Sequence, residues 1–147
     1  MRTADGRHLL GAVDYERTRQ ALLHRLCQVC GRPLHERLVL LMRLSDLPRR
    51  CTSEPALHPE CHAYTVSACP MVNGHLTHYR STPVRPGPGT TSAPDTCARL
   101  GKPAEPWFSV WLAGYQVGID HGNHVASYAH TKPLRIRPVT WNLPALW

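Results

Sequence analysis

The sequence is short of phenylalanine, of lysine and of long apolar runs, and each shortage narrows the reading. A single phenylalanine in 147 residues, set against 14 prolines, leaves a modest core and much irregular chain. Such a fold needs support beyond apolar burial, and a metal is one source of it. No run of about 18 apolar residues occurs; the richest stretch, "RLVLLMRL", is interrupted by arginines, so the sequence predicts no membrane span. The N-terminal stretch "MRTADGRHLLGAVDYERTRQ" lacks the apolar segment of a signal peptide. This predicts a soluble protein in the reducing cytoplasm, where the six cysteines serve as thiols or metal ligands rather than as disulfides. The length fits one compact domain, or a small domain with an appendage, and excludes two large ones.

Acidic residues are also scarce. Ten of them face 17 basic ones, a formal net charge of +7, and only Lys102 and Lys132 among the basic residues are not arginine. Such arginine bias fits a GC-rich genome as well as it fits selection for phosphate contacts. The excess is concentrated early, since residues 1–50 hold ten basic and five acidic side chains.

Along the chain, Asp14 is placed to cap a helix from about Tyr15 to Leu26, its carboxylate accepting from orphan N–H groups of the first turn. Ala21, Leu22 and Leu26 would share its buried face. The run "ERLVLLMRL" fits strand or helix by period alone, and its position after a CxxCG turn favours a hairpin. A second helix is predicted in "LHPECHAYTVSACP", with His58 at the N-cap, Pro59 at the first helical position, Cys61 in the first turn and Pro70 as the stop. Residues 82–106 are rich in Pro, Gly, Ser and Thr and read as a linker or long loop. The tail from 107 to 147 carries aromatic and β-branched residues around Gly-Asn and Thr-Lys-Pro turn signals, which predicts two or three strands. The expected organisation is therefore α+β: a zinc-binding module with an N-terminal helix over 1–81, the linker over 82–106, and a short antiparallel β-hairpin tail over 107–147.

The strongest chemical signal is a pair of pairs. Zinc takes four thiolate or imidazole ligands in a tetrahedron, commonly from two local pairs each pinned by a turn. Cys27-x2-Cys30 and His58-x2-Cys61 are such pairs. Gly31 lets the backbone curl so that amides can point at the first two sulfurs, and a helix start would favour the Cys61 thiolate. Buried, reduced cysteines and a surface histidine are the plainer alternative. Cys51 is the substitute ligand should His58 face away. Cys69 lies about 12 Å up the predicted helix from Cys61, too far to share the ion, and reads as a core thiol; Cys97 sits in the linker without a partner motif. His75-x2-His78 and His121-x2-His124 lack cysteines or acids beside them and read as surface histidines.

The order of knuckle, hairpin and ligand pair at a helix start resembles a treble-clef zinc finger. The strings "LCQVCGRPL" and "PALHPECHAYTVSACPMV" are similar to small uncharacterised proteins of actinobacteria and their phages, most clearly over residues 26–72. The resemblance implies a zinc-bearing fold with Cys27, Cys30, His58 and Cys61 as ligands of a structural Zn2+, and it implies no activity.

Three functions compete. In the first, Arg17, Arg19 and Arg25 on the helix join Arg43, Arg49 and Arg50 on the hairpin in a basic face for weak, non-specific binding of DNA or RNA; the base-reading and stacking motifs of known modules are missing. In the second, zinc only stabilises an adaptor for a protein partner, with Trp107, Trp111, Trp141 and Trp147 as anchors or, more simply, as core. The third is an HNH-type nuclease with His35 as general base and His62 as metal ligand, with "DHGNH" at 120–124 echoing the motif. His35 lacks the preceding acid, and "DHGNH" reads as a hairpin turn, so the expectation is that the protein is not an enzyme.

Overall fold

Asp14 starts the first helix as its sequence position requires: its carboxylate accepts the Glu16 N–H at 3.2 Å. The computed structural model describes residues 3–7, 13–83, 85–91 and 98–140. Within them α1 spans Tyr15–Leu23 and buries Ala21 and Leu22, ending three residues before the expected Leu26. The chain must leave the helix there to enter the CxxC turn. Arg25 takes a left-handed backbone conformation (φ 53°), and the Leu26 N–H reaches back to the Ala21 carbonyl at 2.9 Å, a bond that closes the last turn in the way a glycine usually does.

The second helix, α2, spans Pro59–Ala68 with His58 at its N-cap and Cys69 at its C-cap, as the proline signals indicate. The strands are β1 (Leu38–Arg43), β2 (Cys51–Thr52), β3 (Trp107–Leu112), β4 (Gln116–Asp120), β5 (Asn123–Ser127) and β6 (Arg135–Pro138), in two antiparallel sheets ordered β1-β3-β6 and β2-β5-β4. The protein is thus α+β. The run 36–44 is a strand, but its ladder partner is not the next strand: β1 pairs with β3, from Leu38 opposite Leu112 to Arg43 opposite Trp107. All six β1 residues are buried, so the strand has no solvent face and shows no period-2 alternation. The local hairpin in the tail is β4–β5. Its two turn residues are His121 and Gly122, both at positive φ (47° and 79°), with Asp120 opposite Asn123. The turn sits one residue earlier than a Gly-Asn turn would.

β1 divides the interior. Leu38, Leu40 and Met42 face one cluster with Leu22, Val110, Leu112, Tyr115 and Ala126. Leu41 faces the other, with Cys27, Leu57, Cys61, Val72 and Trp107. Trp107 is therefore core, and Trp111 is half-buried with its ring edge-on to His62; Trp141, Trp147 and Cys97 lie outside the described residues. The described part of 82–106 carries no strand or α-helix, and it is tied back by Tyr15 N–H to the Thr91 carbonyl and by Leu44 N–H to the Pro106 carbonyl. No helix among the described residues is long and apolar enough to cross a membrane.

Tyr115 seals the end of α1. Its ring is 1% exposed, its hydroxyl donates to the Leu22 carbonyl at 3.1 Å, and the Arg25 guanidinium lies 5.2 Å over the ring centroid while donating to the Tyr115 carbonyl. Tyr115→Phe removes the donor to a buried helix-end carbonyl and should cost about 1–2 kcal/mol, read as a melting temperature lower by a few degrees. A variant melting with the parent would mean that water reaches Leu22.

Candidate metal centre

The first half of the centre is a turn that ties itself. The Gly31 N–H donates to the Cys27 carbonyl at 2.9 Å and the Cys27 N–H to the Arg32 carbonyl at 2.8 Å, so the chain reverses between the two cysteines and their side chains converge. Gly31 sits at φ 69°, where a side chain would be strained. The Gln28 N–H donates to the Ala56 carbonyl at 3.1 Å, which fastens this turn to the segment that carries the second pair.

The second half is placed by β1 and α2 together. Val39 and Leu57 exchange two backbone hydrogen bonds of 2.9 Å, so the residue before His58 is held against the sheet. His58 then adopts extended backbone at the N-cap and makes no side-chain cap. Its ring is turned inward instead: Nε2 stands 2.9 Å from the Pro33 carbonyl and Nδ1 3.3 Å from Cys30 Sγ. Donation from Nε2–H to Pro33 leaves Nδ1 with its lone pair free, the tautomer that a metal-ligating imidazole needs and the outer contact that usually fixes it.

The three sulfurs of Cys27, Cys30 and Cys61 and a ring nitrogen of His58 all lie within 4.8 Å of one another. A tetrahedron with bonds of about 2.0–2.3 Å has edges of roughly 3.6–3.8 Å, so these donors need to close by an ångström or less. The four residues are close enough to hold a metal ion, and Cys3His is a donor set that suits one. The Cys30 thiol is drawn down to about 6, first by the Arg32 backbone N–H directed at its sulfur and then by the Arg32 side chain, Cys27 and His58. Cys61 is pushed up to about 12 by burial and by its neighbours Cys27 and Cys30. The helix start, expected to favour the Cys61 thiolate, loses to desolvation and to the adjacent thiols. A divalent ion among the sulfurs would offset the repulsion that raises Cys61.

No family model, curated protein or solved structure matches the chain. The site therefore stands on its own geometry.

The other candidates are dispersed. Cys51 lies in β2 opposite Ser127, outside the four-residue group, and burial raises its thiol pKa. Cys69 caps α2 and packs half-buried on the cluster around Leu57 and Trp107. His62 sits 2.7 Å from the Ser109 hydroxyl, where burial lowers its pKa; His35 is exposed, its ring 6.1 Å from that of His58. His75 bonds Asn73 and His78 bonds Thr77, His121 lies in the exposed hairpin turn, and among the described residues only the Cys3His group could hold a metal.

Of the six arginines read as a basic face, four are engaged by partners within the chain. Arg43 is 3% exposed and paired with Asp46 and Glu54. Arg49 bridges Asp46 and Asp120, Arg19 is paired with Glu16 at 2.9 Å, and Arg25 is stacked on Tyr115. Arg17 and Arg50 are exposed. Sequence reasoning missed the Arg43–Asp46–Glu54 group, although Asp46 three residues after Arg43 was a local sign of it.

Proposed function

We propose that the metal is zinc, that it is structural, and that the protein is a zinc-stabilised binding module rather than an enzyme. The observation that carries this reading is the donor set: three thiols and one imidazole from two turns, enough to fill a tetrahedron without water or substrate. Catalytic zinc sites keep an open position, whereas structural ones close all four. Soft thiolate donors favour zinc over magnesium, calcium or manganese, which prefer oxygen. The treble-clef order supports the same reading as far as the CxxC turn and the helix-start pair; the ladder of β1 with β3 in place of a local hairpin is a departure from it.

Protein purified without added metal is expected to contain one zinc per chain by elemental analysis, and replacement with cobalt(II) should give the visible absorption of a tetrahedral thiolate site. Preparations that are fully folded with no zinc, or that carry iron with a visible chromophore, would overturn the assignment.

A further inference from the structure

Arg49 and Arg50 are neighbours in sequence and opposites in the fold. Arg49 is held by Asp46 at 2.8 Å and also by Asp120. Arg50 meets no carboxylate among the described residues, and its side chain makes only a long 3.4 Å hydrogen bond to the Ala129 carbonyl. Its backbone stands at φ 54°, a conformation strained for a residue with a side chain. It is pinned there from both sides, its N–H donating to the Leu47 carbonyl at 3.1 Å and its carbonyl accepting the Tyr128 N–H at 2.9 Å.

This fixed arginine opens onto a surface cleft of about 490 Å3 that His130 and Lys132 also line. The remaining wall includes Tyr128, Pro133 and Ile136, and Ile136 is 43% exposed. No acidic side chain lines the cleft among the described residues, and no Asp or Glu follows Asp120 in the sequence. A guanidinium and an ammonium that lack carboxylate partners among the described residues, set beside an apolar wall, suit an anion attached to an apolar body.

We propose that this cleft binds the phosphate of a nucleotide, the phosphate oxygens meeting Arg50, Lys132 and His130 and the rest of the nucleotide lying on Pro133 and Ile136. None of these residues belongs to the Cys3His group or adjoins it in sequence, so the proposal stands or falls apart from the zinc reading. A free nucleotide and the terminal nucleotide of a strand offer the same chemistry.

The test titrates the metal-loaded full chain with AMP, adenosine, inorganic phosphate, and a short oligonucleotide with or without a 5′-phosphate, following the amide signals of Arg50, Tyr128 and Lys132. AMP is expected to bind at least about ten-fold more tightly than adenosine, as the loss of charged hydrogen bonds implies, and more tightly than inorganic phosphate. Arg50→Gly removes the cation and suits the left-handed backbone. It should fold and melt no lower than the parent while losing AMP binding by about ten-fold or more, and Lys132→Gln should weaken it as well. A 5′-phosphorylated oligonucleotide that outbinds AMP would assign the cleft to strand ends, and equal binding would assign it to free nucleotides; either outcome supports the phosphate site. Adenosine binding as well as AMP, or Arg50→Gly binding AMP like the parent, would overturn it.

Discussion

Stripping the metal, or replacing Cys27 and Cys30 together with serine, is expected to unfold most of the chain rather than loosen a turn. The two ligand pairs come from segments that meet mainly around the site: the CxxC turn reaches the rest through Gln28 N–H to Ala56, and α2 buries only Cys61 among its residues. Two of the four ligands, Cys27 and Cys61, are themselves part of the cluster on the Leu41 side of β1. Without an ion nothing links Cys27 to Cys61 across this cluster, and Leu57, Val72 and Trp107 lose the tether that closes over them. Structural zinc contributes on the order of 10 kcal/mol in small domains, as much as the whole stability of a typical one. Ligation also requires deprotonated thiols, so acid should release the metal and the fold together. Circular dichroism and tryptophan emission should therefore collapse with excess chelator and return when zinc is added. A chelated, metal-free sample that melts at the parent temperature would show that the apolar core suffices.

The four residues of the candidate metal centre were legible in the sequence because their information is local. A CxxCG turn and a proline-led helix start each fix two side chains within four residues, and only the meeting of the two pairs had to be inferred. Helix α2 was legible for the same reason, with Pro59 and the stop near Pro70 bounding it. The sheet pairing was not legible. β1 is buried on both faces, so its six apolar and basic residues carry no alternation that would choose a partner, and its ladder lies with β3, which follows the whole proline-rich segment. The partners of the arginines were hidden for a related reason. A basic residue in a charge run is ordinarily a solvated one, but Arg43 is turned inward by partners that the fold supplies from elsewhere: Glu54, and the Trp107 ring on the facing strand. Arg25 likewise finds Tyr115 only when the tail returns to α1. Side chains whose roles depend on distant strands leave no spacing to read.

Replacing Arg43 is expected to have the second largest effect on stability. Its guanidinium donates to Glu54 at 2.6 Å and to Asp46 at 3.4 Å and lies 4.6 Å over the centroid of Trp107, its directly paired neighbour across β1 and β3. Burial by itself would lower its pKa, yet Glu54 and Asp46 hold it above the ordinary arginine value, so the group stays charged. Asp46 is equally buried. It also accepts the Arg43 backbone N–H at 3.1 Å and pairs with Arg49, which reaches Asp120 at the end of β4; the group thus ties the β1 sheet to the β4 sheet. Arg43→Met keeps much of the volume and the stem packing but leaves Glu54 without its cation and the buried Asp46 with Arg49 alone. Removing one partner of a buried pair costs about 3–5 kcal/mol, which in a chain of this size lowers the melting temperature by roughly 10 °C. Arg43→Lys should fall between, because a single ammonium cannot span both carboxylates and stack on the indole as a planar fork does. One feature limits the loss: Arg43 Nε has no hydrogen-bond partner, so the parent already carries an unpaired donor there. The distinguishing measurement is denaturant unfolding of Arg43→Met beside the triple variant Arg43→Met/Asp46→Asn/Glu54→Gln. If the stranded charges cause the loss, the triple variant regains part of it even though it has fewer polar contacts. If Arg43→Met alone is as stable as the parent, the buried cluster contributes nothing that a hydrophobic side chain cannot supply.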